Sequence, residues 1–490
     1  MFLKIFIYLM LLFSFFTTIK PTTGLPEKKT SAKEELQEAT TAIRPYQENP
    51  WYWQYEGKPV VLVGASNDDN LFQWTGKELT DHLDLLASVG GNYVRNTMSD
   101  RDDGDVYAFR EIEEETYDLD QWNEEYWNRL EFFLQETSKR DIIVQLTLWD
   151  HFDLSGSGWE KHPWNPQNNV NLEEGIIEGE EDVYGGSLSQ NIEPVLKYQK
   201  QYIEKLMSIT LQYDNVLYNI NNEGSQSREW DNYWARFIKE KAGEKGKQIY
   251  VTSMLFDPSS SVRHAMTFSD IYSYVDISQN NQDSRGGRGP AHYANIMDWR
   301  KKLAADPMPM NNIKVYGSQD GPNYSAGSGR EAVRRFWRNI FAGSASSRFH
   351  RPAGTWGIGL NERAQTSLKA MSMLLKEFDI FQARPHNDLL SSYVELQPSS
   401  MEAYCLADIG EQYAVYFPGG RYTIDLDPWV FVDKLKVKWL NIDKGTWSEE
   451  EIVKVQWQGG INNWGHRATV RLETPGNEPY VALLEVVTSE

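Results

Sequence analysis

The chain has 490 residues, a formal net charge of -21 and a single cysteine, Cys405. The charge argues against a nucleic-acid partner, since no basic excess exists to neutralise phosphates, and the lone cysteine excludes an intramolecular disulfide or a cysteine-based metal cluster. The length allows two or three domains with ample core, and the 18 Trp, 26 Tyr and 20 Phe either fill that core or stack on pyranose faces in a sugar cleft.

The first residues carry Lys4, an apolar run over 5–16 and small polar residues from Thr17. This is a signal-peptide pattern, assigned to 1–24, with a run too short to span a membrane. No cysteine follows it, so no lipoprotein attachment site is expected. The expected location is periplasmic or secreted. Residues 25–48 are Thr-, Lys- and Glu-rich and read as a linker. Order is expected from about residue 49, beginning with a small hairpin over 53–60 that turns at Glu56-Gly57.

A strand–helix rhythm follows. Strands are expected over 60–64, 93–95, 142–148, 216–220, 248–254, 271–277, 313–317 and 348–350. Helices are expected over 76–89, 119–137, 195–213, 228–245, 293–304, 330–341 and 365–381. This alternation predicts an α/β fold, a (β/α)₈ TIM barrel over 49–388. An open doubly wound sheet is the alternative, but its Gly-rich phosphate turn after the first strand is missing. From 389 to 490 the pattern changes to short alternating strands, punctuated by Pro418-Gly-Gly, Asp443-Lys-Gly and Pro475-Gly-Asn. This predicts a C-terminal antiparallel β-sandwich.

In such a barrel the C-terminal strand ends carry the chemistry. Those ends hold Ser66, Asn67, Asp68 and Asp69; Arg95 and Asn96; Trp149, Asp150, His151 and Asp153; Asn222 and Glu223; Gln279, Asn280 and Asn281; Gln319, Asp320 and Tyr324; and His350, Arg351 and Trp356. Polar and aromatic groups crowd one rim, as a polyhydroxylated ligand requires. Glu223 and Asp320, at the ends of strands four and seven, face each other across the barrel. Two facing carboxylates are the minimum for glycoside hydrolysis. Arg95 could hold the strand-seven carboxylate ionised. Blander readings stand beside these: Glu223 as a helix cap, Asp320-Gly as a turn, Arg95 in a structural salt bridge, Asp150-His151 as a brace. No His-x-His or His-x-x-x-His spacing accompanies Asp150-His151, so no metal is expected, and no cofactor. No Gly-x-Ser-x-Gly elbow is present for a serine hydrolase.

Tyr93-Val-Arg95 and Asn222-Glu223 resemble the strand-two Arg and strand-four Asn-Glu of the retaining glycosidase clan built on (β/α)₈ barrels. Gly57-Lys-Pro-Val-Val-Leu-Val-Gly64, Tyr416-Phe-Pro-Gly-Gly420 and Trp439-Leu-Asn-Ile-Asp-Lys-Gly445 are similar to segments of its apiosidase-like group, which pairs the barrel with a collagen-binding-type β-sandwich. The resemblance implies that Glu223 is the acid/base and that a strand-seven carboxylate is the nucleophile. It expects Glu on strand seven, where this chain has Ser318-Gln-Asp-Gly-Pro-Asn-Tyr324, and Asp320 is the nearest candidate.

The expected function is therefore an exported glycoside hydrolase acting on a plant or algal polysaccharide or oligosaccharide. Glu223 and Asp320 are the catalytic pair. Arg95, Asn222, Trp149, Asp150, His151, Asn280, Tyr324 and Trp356 position the sugar. Arg285, Arg288 and His292, with Arg330, Arg334 and Arg335, either bind anionic groups on the glycan or form a charged helix face. The insertion over 156–186, with Trp159 and Trp164, is expected to shape a subsite. The alternatives are an inverting hydrolase using Asp150 or Asp153 with Glu223, and a barrel that only binds glycans, with Gln319 at the nucleophile position.

Overall fold

A computed structural model describes residues 41–224, 227–284, 289–318, 326–390, 402–458 and 467–487. The candidate residues Gln319, Asp320, Tyr324, Arg285 and Arg288 lie outside the described residues, as do the expected signal peptide and most of the expected linker.

Eight parallel strand segments follow one another, each succeeded by a helix. The strands are β1 (Leu62–Ala65), β2 (Tyr93–Thr97), β3 (Ile143–Trp149), β4 (Val216–Gly224), β5 (Val251–Leu255), β6 (Val275–Asp276), β7 (Met310–Asn311) and β8 (Ser346–Phe349). The helices are α1 (Gly76–Ser88), α2 (Glu124–Ser138), α3 (Glu193–Thr210), α4 (Arg228–Glu244), α5 (Pro258–Thr267), α6 (Gly289–Lys302), α7 (Gly329–Phe341) and α8 (Glu362–Leu375). Six strands form one sheet in the order β5-β4-β3-β2-β1-β8, and β6 pairs with β7. Backbone bonds link the pair to both edges: Ser273 N donates to Val251 O at 2.9 Å, and Arg348 N to Asn312 O at 3.0 Å. Val315, downstream of β7, bridges Phe349 in β8. The eight segments thus run in cyclic order.

Strands buried on both faces read as unbroken apolar runs rather than as alternation. All seven residues of β3, Ile-Val-Gln-Leu-Thr-Leu-Trp, are buried. The helices lay one apolar stripe on this sheet: in α1 the buried residues Leu79, His82, Leu83 and Leu86 recur at helical spacing. Thr75 opens α1, and Asn123 caps α2 by accepting from Glu125 N.

Three expectations are corrected. The helix expected from 119 starts at Glu124, because residues Thr116–Trp122 pair with Phe109–Glu113 in a hairpin that buries Tyr117 and Leu119 alternately. Helix α5 is not among the expected helices, since its Pro-Ser-Ser-Ser start resembles a loop; Asp257 caps it through Ser259 N and Ser260 N. The linker overlaps the fold at its end: Arg44–Pro45 pair with Trp53–Tyr55, and Ile43 is buried. Ile43 and Trp53 pack in one cluster with Leu62, Tyr93, Ile143 and Leu217, at the starts of β1 to β4. Burying Ile43 contributes about 2 kcal/mol, and Trp53 Nε1 donates to Asn311 Oδ1 at 2.9 Å inside the barrel. The N-terminal segment therefore closes the end opposite the strand C-termini. The expected hairpin is present, with Glu56 and Gly57 both at positive φ (48° and 75°), the geometry of a tight two-residue turn.

The C-terminal residues form two antiparallel sheets. The larger runs through strands Tyr404–Asp408, Gln412–Phe417, Tyr480–Val486 and Lys434–Asn441, and the smaller through Thr423–Leu426, Arg467–Glu473 and Gln456–Gln458. Their inner faces share one apolar cluster, including Cys405, Val415 and Leu484 from one sheet and Leu426 and Val470 from the other. This region packs on α6 and α7. Tyr293 stacks on Tyr404 with ring centroids 4.2 Å apart, and Arg338 donates to both oxygens of Glu402 at 2.6 and 3.0 Å.

Candidate active site

Glu223 sits on the last turn of β4 in an unusual way. Met254 of β5 pairs with Asn222 and Leu255 with Gly224, so Glu223 is an additional residue in the ladder. It adopts φ +57°, a left-handed conformation rare for a residue with a side chain. Such bulges re-aim side chains at strand ends, and local strain of this kind gathers at functional sites. Asn219 Oδ1 accepts from Met254 N at 2.9 Å and fixes the irregular register.

The Glu223 carboxylate meets the ammonium of Lys314, which lies just beyond β7 on the far side of the barrel. Lys314 Nζ also donates to Asn222 Oδ1 at 2.6 Å. Asn222 Nδ2 donates to Asp150 Oδ2 at 2.9 Å, and Arg101 Nη1 reaches the same oxygen at 2.8 Å. Arg101 continues to Asp153 Oδ1 at 3.0 Å, which Ser99 Oγ also reaches at 2.5 Å. Glu223 is thus the partly open end of a chain of buried polar groups; its side chain is 13% exposed against 3% for Lys314.

The electrostatics follow from these contacts. Burial pushes the Glu223 carboxyl up, but Lys314 and then Arg95 hold it below its ordinary value. Burial pushes Lys314 down, and Glu223 offsets this in part. Asp150 is held low, since Arg101, Arg95 and Asn222 outweigh its burial. Burial and then the Asp150 and Asp100 charges raise Asp153 well above the usual range.

A second cluster surrounds Asp69, just after β1. Arg95 Nη1 is 2.7 Å from Asp69 Oδ2, Arg348 Nη2 3.2 Å from Oδ1, and Arg351 Nε 3.3 Å from Oδ2. Arg95 is 1% exposed, and its Nε and Nη2 have no hydrogen-bond partner among the described residues. Its ion-pair partner among the described residues is Asp69; the strand-seven carboxylate that the sequence pointed to, Asp320, lies outside them.

The remaining candidates divide. Trp356 is half-buried at the rim, 5.2 Å from the Tyr316 ring, which also lies 5.2 Å from His350. His151 is half-buried and lies against the Phe152 ring at 4.1 Å. Trp149 does not stand open as a stacking platform. It is 4% exposed and wedged among Tyr184, Tyr202, Trp230 and Trp234. Asn280 braces the backbone instead of facing a ligand: it donates to His292 O at 3.0 Å and accepts from Asn295 at 2.8 Å. Asp150 acts on Asn222 from behind. Two of the α7 arginines, Arg334 and Arg335, are engaged within the fold. Arg334 pairs with Glu331, and Arg335 is buried, donating to Tyr316 O at 2.8 Å. Trp164, in the insertion, packs on Phe109.

Sequence reasoning missed Lys314, Tyr316 and Arg101. The signal for Lys314 was its position between Ile313 and Val315 next to a strand buried on both faces, where a lysine has no solvent side to point towards.

A family model described as a domain of unknown function (DUF6298) matches residues 101–288. No curated protein matches the chain. Solved structures similar to it include a glycoside hydrolase family 5 protein from Bacteroides vulgatus, at 14% identity and TM-score 0.62, covering 92% of this chain and 94% of that one. Another, named a glycoside hydrolase, gives 14% identity and TM-score 0.63 over 93% and 99% of the two chains. A family 5 mannosidase from Rhizomucor miehei gives 13% identity and TM-score 0.52, covering 70% of this chain and 99% of that one. At these identities the likeness establishes the fold: parallel strands and helices followed by an antiparallel β region.

Proposed function

We propose that this chain is an exported glycoside hydrolase with a (β/α)₈ catalytic barrel, cleaving a glycosidic bond in a polysaccharide or oligosaccharide of plant or algal origin. The observation that carries the reading is Glu223: a carboxylate on a strained bulge at the C-terminal end of β4, partly open, facing Lys314 across the barrel. A glutamate that merely caps α4 would need neither the bulge nor the buried cation, and Ser227 already caps that helix through Trp230 N. The solved neighbours named as glycoside hydrolases support the same reaction class. In this proposal Glu223 is the acid/base, protonating the leaving oxygen and later deprotonating water, and Asp320 is its partner. Asn222, bonded to Lys314 and Asp150, positions the sugar beside Glu223, with Trp356, Tyr316 and His151 on the rim.

The inverting alternative draws little support from the geometry, since Asp150 and Asp153 are both buried and both engaged by Arg101. The test is a panel of plant and marine algal polysaccharides, read for new reducing ends. Release from one glycan, abolished in Glu223→Gln while binding on an affinity gel persists, is the expected result. Full activity in Glu223→Gln overturns the assignment. Silence of the wild type, with binding retained, would favour a barrel that only binds glycans.

A further inference from the structure

The acid/base reading has an electrostatic difficulty. A general acid must hold a proton, yet Glu223 in the free protein lies in an ion pair with Lys314. The same geometry supplies the remedy, because the missing proton sits on the atom in contact with the carboxylate. We propose that Lys314 is the proton partner of Glu223, giving its proton to the carboxylate when substrate fills the site and recovering it at the end of each turnover. This inference rests on the hydrolase reading above.

Lys314 is 2% exposed, and its ammonium touches Glu223 and Asn222. The charged groups that face the pair are Arg95 from β2, Asp150 from β3, Asp276 from β6, and Asp69 beyond β1; Tyr316 and His350 lie alongside. Arg95 disfavours a second cation at Lys314, and burial does the same. The partial exposure of Glu223, 13% against 3% for Lys314, lets solvent favour the charge-separated pair. A sugar that displaces this solvent lowers the local polarity, and a neutral amine beside a neutral carboxylic acid then becomes the better arrangement.

The proton balance closes. A proton moves from Lys314 Nζ to Glu223, leaving an amine and a carboxylic acid. Glu223 passes that proton to the glycosidic oxygen as the bond from the anomeric carbon breaks and its electron pair goes to the oxygen. Water then supplies its oxygen to the anomeric carbon and its proton to Glu223, and the proton returns to Lys314. Lys314 acts throughout by way of Glu223. Asn222, held by Asp150, keeps Nζ and the carboxylate aligned.

The experiment uses full-length protein and two aryl glycosides of the sugar released from the polysaccharide panel. Phenoxide needs a proton to leave; 2,4-dinitrophenoxide does not. Lys314→Arg keeps the positive charge but holds its proton at every working pH. It is expected to lose about 10²- to 10⁴-fold in kcat/KM on the phenyl glycoside, the usual contribution of a general acid, and to stay within about tenfold of wild type on the dinitrophenyl glycoside. In Lys314→Met the basic limb of the phenyl-glycoside pH profile should move to lower pH, because Glu223 alone must then keep the proton. This second variant gives a readout that a loss of folded protein cannot imitate, and each variant's thermal melt accompanies the kinetics. Equal losses on both substrates, or an unmoved basic limb, would overturn the proposal while leaving the hydrolase reading intact. A wild type inactive on every glycan and glycoside would remove the hydrolase reading and this inference with it.

Discussion

Asp69 is surrounded by more positive charge than any group on the rim described above, and its replacement by asparagine tests whether that cluster holds the barrel mouth together. The carboxylate is 4% exposed, Arg95 1% and Arg348 0%. Water therefore screens little of the interaction. At an effective dielectric constant near 20, a unit charge pair about 4 Å apart is worth about 4 kcal/mol. Asp69→Asn removes that attraction toward Arg95 and Arg348 and leaves their guanidiniums, with Arg351, facing one another. Relaxation and entering water recover part of it, so the net loss should be about 3–5 kcal/mol, the usual range for one partner removed from a buried pair. The pH dependence provides a second check. Burial alone would push the Asp69 carboxyl up, but Arg95, His350, Arg348 and Arg351 together hold it well below its ordinary value of 3.8. A depressed folded-state pKa gives stability that is fully present above the unfolded value and lost as pH falls through the folded one. The gap between wild type and variant should thus be constant from pH 5 to 8 and shrink below about pH 4. Urea unfolding followed by tryptophan fluorescence measures it. A variant within about 1 kcal/mol of wild type at pH 7 would refute the reasoning, since the arginines would then be satisfied without the carboxylate.

Two further outcomes follow from the same physics. Asp231 is fully buried in the first turn of α4, and burial raises its carboxyl to about 7, against the bonds from Ser253 and Asn221. A raised folded-state pKa means stability present at low pH and lost between about pH 4 and 7, so Asp231→Asn should stabilise the protein at pH 8 and change little at pH 4; a variant less stable than wild type at pH 8 would count against this. Trp149→Ala should cost about 3–5 kcal/mol in urea unfolding, as expected for a large aromatic removed from a packed cluster. A variant that keeps wild-type stability but loses glycan binding would restore Trp149 to the sugar site.

Much of the barrel was legible because its strands are buried on both faces. Residues 142–148 and 216–220 are unbroken apolar or near-apolar runs; the structure moves the first by one residue, to Ile143–Trp149, and extends the second to Gly224. The later strands were less legible. β6 and β7 are two residues long, and Asp276 and Asn311 within them, with Asn312 just after, are polar side chains hydrogen-bonded inside the barrel. Glu223 was readable as a strand-end carboxylate, and Asn222 beside it. Its bulge was not, because register is a relation between β4 and β5 that neither segment encodes alone. Lys314 was hidden by ordinary expectation: lysine is a surface residue unless it is paired, and its partner lies 91 positions earlier. Trp149 and Asn280 stand at strand ends by sequence but point into packing, since position along a strand does not fix which way a side chain faces once the ladder is irregular.

The segment around Ile43 that closes the lower end of the barrel has a consequence for how the chain folds. Ile43 N donates to Asp214 O at 2.8 Å, and its cluster includes Ile313 and Ala345. Its docking surface is complete only after the eighth strand has been synthesised and paired, roughly 300 residues later. The part of the fold made earliest is therefore among the last to find its place. Contacts so distant along the chain slow folding, since loop closure must come before they reward it. Until then Ile43 and Trp53 remain exposed on the nascent chain, and the open lower end of the barrel is the surface on which a folding helper, or an aggregate, would act first.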